Sequence, residues 1–152
     1  MTAQETARPE MYRYHNGEKS PLPFAAEEYE ARLAELRERM QAAGTQAAVF
    51  TSMHNIAYYS GFLYCSFGRS FGCVVTHDAC TTISANIDGG QPWRRSIGDN
   101  VIYTDWRRDN FWRAVGELVG GSGRLGIEAD HMTLAARTAL DTVLGPRELI
   151  DV

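Results

Sequence analysis

Residues 71–85 read FGCVVTHDACTTISA. Phe71–Thr76 and Cys80–Ala85 are rich in β-branched residues, and His77-Asp78-Ala79 between them is short and polar, which predicts an antiparallel hairpin. Upstream, QAAVFT (Gln46–Thr51) reads as a strand and MHNIAYYSG (residues 53–61) as a short helix closing on Gly61. Further upstream Tyr29, Leu33, Leu36 and Met40 fall at spacings of four, three and four. They form one apolar stripe along a helix over Ala26–Ala43, which Gly44 ends. Downstream, NIDGGQPW (residues 86–93) is a loop or helical turn, followed by a strand at Val101–Thr104 and a helix at Asn110–Val119 with Asp109 as its cap. Gly120, Gly121 and Gly123 break that helix. Arg124–Glu128 is a fifth strand, Thr133–Leu144 a helix starting near Thr133 or Asp130, and Glu148–Val152 the final strand after Gly145-Pro146. One hairpin set within helix–strand alternation predicts an α/β fold, a mixed six-stranded sheet flanked by helices.

The chain has 152 residues, 44% of them apolar and 22% charged, which suits a single globular domain with a sizeable core. Residues 24–152 form that domain. Residues 1–23 form an N-terminal arm carrying Pro9, Pro21 and Pro23, and its Asn16-Gly17 turn marks an ordered lead-in or a short hairpin. A net charge of -4 gives no general attraction to nucleic acid or to an anionic membrane. No apolar run approaches the roughly 20 residues of a membrane span, and MTAQETARPE holds no hydrophobic leader, so a cytoplasmic setting is expected. Cys65, Cys73 and Cys80 are odd in number and lack metal-ligand spacing, which fits a reducing compartment. Because the last strand coincides with the last residue, a domain cut from something longer is expected over a natural short protein that ends on a strand.

The histidines His15, His54, His77 and His131 are scattered, without metal-ligand spacing, and neither a P-loop nor a nucleophile elbow is present. Cys65 would be a nucleophile if His54 or His77 folded against it, but a small buried hydrophobe is the simpler reading. Trp93-Arg94-Arg95 and Trp106-Arg107-Arg108 suit interface anchors or a salt-bridged surface. Phe67 and Arg69 are two apart, so an extended backbone would project a ring and a guanidinium side by side. That pair suits a small zwitterion, the guanidinium taking the carboxylate. On spacing alone, a surface strand end with an ion pair is the favoured reading.

HNIAYYSGFLYCSFGRS (residues 54–70), TTISANIDGGQPWRR (81–95) and VIYTDWRRDN (101–110) closely resemble the creatinases, the creatine amidinohydrolases of the pita-bread superfamily. The likeness runs from Asn16-Gly17-Glu18-Lys19 to RLGIEADH at residues 124–131. It implies a ribonuclease-H-like amino-terminal domain, with the catalytic pita-bread domain absent from this chain. It further implies a homodimer in which this domain reaches the partner's active site, where creatine is hydrolysed to sarcosine and urea. Arg69 would bind the creatine carboxylate and Phe67 would pack on the substrate, with Cys65 close by. The catalytic histidine, which passes a proton from the attacking water to the departing nitrogen, and the glutamates that hold the guanidinium belong to the absent domain, leaving no catalytic residue here. The resemblance implies no metal and no other cofactor. Met53, Gly61 and Ser70 depart from the family pattern, where tyrosine, aspartate and proline are common. Two other readings stay open: a stand-alone binding or dimerisation module, and the first domain of a metal-dependent prolidase-like peptidase.

Overall fold

A computed structural model describes residues 9–64, 68–104, 106, 110–121 and 123–152. Its centre is the expected hairpin, β3 (Gly72–Thr76) against β4 (Cys80–Ala85), with Cys73 opposite Thr82 and Val75 opposite Cys80. On one side β3 pairs antiparallel with β2 (Thr45–Phe50), which is followed in parallel by β6 (Arg124–Ile127) and β7 (Leu149–Asp151). On the other side β4 pairs in parallel with β5 (Asp99–Tyr103).

The six expected strands are all present, and a seventh extends the sheet. Met11–Arg13 of the arm, β1, lies antiparallel on β5, giving the order β1-β5-β4-β3-β2-β6-β7. The arm therefore does not fold into a hairpin on itself: its strand pairs with residues about ninety positions downstream.

Alternation along the inner strands divides the core between two faces. Ala47, Val49 and Val74 point to one face, where they meet Phe111, Ala114 and Val115 of α4 (Asn110–Val119) and Leu140 of α5 (Leu134–Leu144). Ala48, Phe50, Cys73 and Val75 point to the other, against Leu33, Leu36 and Met40 of α1 (Ala26–Ala43) and Ile56 and Tyr59 of α2 (Met53–Ser60). The stripe read from α1 is buried as expected, and Gly44 ends the helix at φ 67°, a left-handed conformation that glycine adopts without strain. Thr133, not Asp130, caps α5, its hydroxyl accepting from the Ala136 N–H at 3.1 Å. Residues 86–94 form a single 3₁₀ turn (Asn86–Asp88) and the one-turn helix α3 (Gln91–Arg94). Asp109, expected as the cap of α4, lies outside the described residues. Among the described residues, no helix is long and apolar enough to cross a membrane.

Candidate functional site

The loop between α2 and β3 carries the residues singled out as substrate-facing. Its base is closed by three rings: Phe62 and Tyr64 before it and Phe71 after it, with Tyr64 and Phe71 at 4.7 Å and Phe62 and Tyr64 at 5.6 Å. This aromatic clasp brings the two ends of the loop together, and the Tyr103 hydroxyl fixes the returning limb by donating to the Ser70 carbonyl at 2.7 Å. Because a backbone carbonyl accepts that bond, it does not depend on the side chain at position 70. Gly61 likewise suits its place: it ends α2 at φ 83°, and a Cβ there would come within 3.0 Å of Leu22 Cδ1 and 3.2 Å of the Tyr29 hydroxyl.

Arg69 is exposed and lines a cleft of about 390 Å³ together with Thr51, Met53, Trp112, His131 and Thr133. The parallel strands β2 and β6 both end at this cleft, the position where open α/β sheets commonly hold ligands. Cys65 and Phe67 lie outside the described residues. Gly68, between Phe67 and Arg69, has φ +83°, so the backbone turns there and the extended geometry that would set residues 67 and 69 on one face does not apply.

Glu128 ties two walls of the cleft together. Only 4% exposed, it accepts from the Thr51 N–H at 2.6 Å, the Ser52 N–H at 3.0 Å and the Asn55 side-chain amide at 2.7 Å, and also from the Ser52 hydroxyl. Its own carbonyl accepts from the N–H groups of His131 and Met132 at 3.1 and 2.9 Å. Burial alone would raise the Glu128 pKa, but the bonds from Ser52, Thr51 and Asn55 outweigh it and hold the carboxyl below its ordinary value. Sequence reasoning took Glu128 for a strand end; its partners lie more than seventy residues upstream, where Ser52 as a helix cap was the only local signal.

The remaining candidates separate from this cleft. His77 sits at the far end of β3 from residues 68–71, its ring against the Thr45 carbonyl at 3.3 Å, and His54 is exposed on α2. Cys73 and Cys80 are buried free thiols with sulfurs 3.5 Å apart, and the hydrogen bond between them, followed by burial, pushes the Cys73 thiol well up, which makes it a poor nucleophile. Among the described residues no cluster of His, Cys, Asp or Glu could hold a metal ion. Both tryptophans of the Trp-Arg clusters bind the arm: Trp93 donates to the Gly17 carbonyl at 3.0 Å and Trp106 to the Pro9 carbonyl at 3.2 Å. A second cleft, about 350 Å³ between β1 and α4, is lined by Glu10, Arg13 and Glu117, and its arginine is engaged by Asp99.

A mixed sheet with helices on both faces, and an arginine-bearing loop beside the ends of two parallel strands, define an α/β domain that presents a charged loop at the ends of its inner strands. Solved structures share this architecture. The amino-terminal domain of an X-Pro dipeptidase from Streptococcus pyogenes superposes with a TM-score of 0.69 at 18% identity, covering 80% of this chain and 93% of that one. A proline dipeptidase from Streptococcus pneumoniae gives 0.70 at 18% identity, over 79% of this chain and 90% of that one. At such identities the likeness is one of fold. The family profile of the Creatinase/Prolidase N-terminal domain matches residues 32–152, and the chain belongs to that family. Creatinase from Bacillus sp. (strain B-0618) is 54% identical over 142 residues, which is 91% of this chain and 34% of that protein. The chain thus spans about a third of the length of that curated relative.

Proposed function

We propose that the chain is the amino-terminal domain of a creatine amidinohydrolase, and that it supplies carboxylate recognition to an active site completed by other parts of a homodimer. The observation that carries this reading is the 54% identity to Creatinase across 91% of the chain, three times the identity to the dipeptidases that share the fold. The described residues offer no catalytic acid–base pair in the Arg69 cleft, and Glu128, the nearest buried acid, is saturated by donors from Thr51, Ser52 and Asn55.

In this reading residues 24–152 are one domain, residues 1–23 its arm, and a following pita-bread domain carries the chemistry that splits creatine into sarcosine and urea. Arg69 takes the creatine carboxylate through its fork of N–H donors, Phe67 packs on the substrate and Cys65 stands near. No metal is required. The enzyme works in the cytoplasm.

The test uses the full-length protein. Arg69→Ala removes a charge contact of about 2–5 kcal/mol, so KM for creatine rises at least about thirtyfold, and Arg69→Lys recovers part of the loss. The 152-residue chain alone releases no urea from creatine. Unchanged kinetics in Arg69→Ala would remove Arg69 from the site, and peptidase activity dependent on a divalent metal would replace the creatinase reading altogether.

A further inference from the structure

The loop that carries Arg69 is anchored from β5. Tyr103 is the last residue of that strand and stands opposite Ala85 of β4 on one side and Met11 of β1 on the other, so its backbone is held by both neighbours. Its ring is buried, 6% exposed, in the core under α4. There it meets Phe111 edge to face at 5.7 Å, and Phe111 meets Trp112 in the same way at 5.0 Å. Phe111 and Trp112 are themselves walls of the Arg69 cleft. A phenylalanine at position 103 would fill the same apolar space. What the tyrosine adds is a hydroxyl, a group that a buried ring carries without penalty only when it finds a partner. Its partner is the backbone of the loop, the Ser70 carbonyl at 2.7 Å.

We propose that Tyr103 is a positioning residue for Arg69, its hydroxyl fixing the place from which the guanidinium reaches a substrate carboxylate in the cleft. The inference rests on the reading that Arg69 takes the creatine carboxylate. Positions 68–70 are exposed, whereas Phe71, next along, is buried and closes on Tyr64 at 4.7 Å and on Phe62 at 6.3 Å. The Ser70 carbonyl belongs to the peptide between the exposed and the buried parts of this limb. Held by a donor on a rigid strand, that peptide gives Arg69 a fixed neighbour on its carboxyl-terminal side, as the turn at Gly68 does on its amino-terminal side. A guanidinium fork bonds both oxygens of a carboxylate only from a narrow range of positions, so a loop free to drift loses paired bonds. The carboxylate of creatine keeps its charge while the guanidinium carbon reacts, so its contact with Arg69 is the same in the bound substrate and in the transition state. A misplaced Arg69 therefore changes KM and not kcat.

Steady-state kinetics of the full-length protein test the role of Tyr103. Tyr103→Phe raises KM for creatine about fivefold, the worth of one neutral hydrogen bond, and leaves kcat unchanged. In an Arg69→Ala background the same substitution raises KM no further, because the group it aims is gone. A merely structural hydroxyl would instead lower the melting temperature and the active fraction, and so the apparent kcat, with KM unmoved. KM does not depend on how much of the variant reaches its fold, so a partly misfolded preparation still decides the question. A wild-type KM in Tyr103→Phe, where Arg69→Ala raises it, overturns the proposal. An equal rise of KM in both backgrounds overturns it as well, since Tyr103 then acts without Arg69. A wild-type KM in Arg69→Ala overturns the reading of Arg69 beneath it, and is told apart because the single Arg69 variant shows it alone.

Discussion

Glu128 and Ser52 are bonded twice, the Ser52 backbone N–H donating to one carboxylate oxygen of Glu128 at 3.0 Å and its hydroxyl to the other. The end of β6 and the start of α2 are thereby joined by a buried charge whose counterpart is a helix N-terminus and not a cation. Glu128→Gln keeps the shape but loses the charge and presents an amide to N–H donors, so it destabilises the chain by about 2 kcal/mol. The sign of its pH dependence follows from the lowered pKa. A carboxyl held below its ordinary value of 4.5 contributes fully above that value and loses its contribution as pH falls through the folded value. Urea unfolding of the wild type therefore keeps a constant midpoint from neutral pH to about pH 5 and declines below it, and the gap to Glu128→Gln closes over the same acidic range. A gap that stays constant with pH would show that Glu128 holds α2 by shape alone.

Asn100 is 0% exposed, and its side-chain amide donates to the Thr82 carbonyl at 3.1 Å, the Thr82 hydroxyl at 3.0 Å and the Ser84 hydroxyl at 3.4 Å. Asn100→Asp sets an acceptor against the Thr82 carbonyl and buries a charge with no cation to meet it. The expected cost is about 3–5 kcal/mol at neutral pH, shrinking in acid as the carboxyl takes up a proton and regains a donor. Chemical denaturation at two pH values measures it, and a loss below about 1 kcal/mol would mean that water reaches the site.

Glycine positions separate clash from strain. A Cβ at Gly98 would lie inside van der Waals contact of the Cys80 carbonyl, a backbone atom at the start of β4. Gly17, by contrast, has φ +74° with nothing within 4 Å of a Cβ. Gly98→Ala is expected to cost more than about 3 kcal/mol and Gly17→Ala about 1 kcal/mol, as read from thermal melting of the two variants side by side.

Whatever is encoded locally was legible before the structure. The bounds of α1 follow from Tyr29, Leu33, Leu36 and Met40 at helical spacing and from a glycine that alone tolerates the φ 67° of its cap. β1 was not legible as a strand, because Met11–Arg13 has no pattern of its own and becomes one only by pairing with Val101–Tyr103. The candidate site shows the same division. Arg69 was singled out by its neighbours in the chain, whereas Thr51, Trp112, His131 and Thr133 reach its cleft from separate elements, and Glu128, just past β6, holds Thr51 and His131. The sequence leaves the Trp93 cluster between an interface anchor and a salt-bridged surface because its hydrogen-bond partner, the Gly17 carbonyl, is a backbone atom that side-chain patterns do not report.

Gly68 links the loop's backbone to its proposed task. Its φ of +83° turns the chain immediately before Arg69, and nothing lies within 4 Å of a Cβ placed there, so alanine meets strain without a clash. The strain, about 1 kcal/mol, falls on the exposed positions 68–70, ahead of the buried Phe71. Gly68→Ala is therefore expected to leave the melting temperature of the chain within about 2 °C of wild type, since the buried core is untouched. In the full-length protein the same change moves the Arg69 guanidinium and raises KM for creatine about tenfold, because a displaced fork loses its paired bonds to a carboxylate. Steady-state kinetics and a melt on one preparation decide the matter. An unaltered KM with an unaltered melt would mean that the turn at Gly68 has no part in holding substrate.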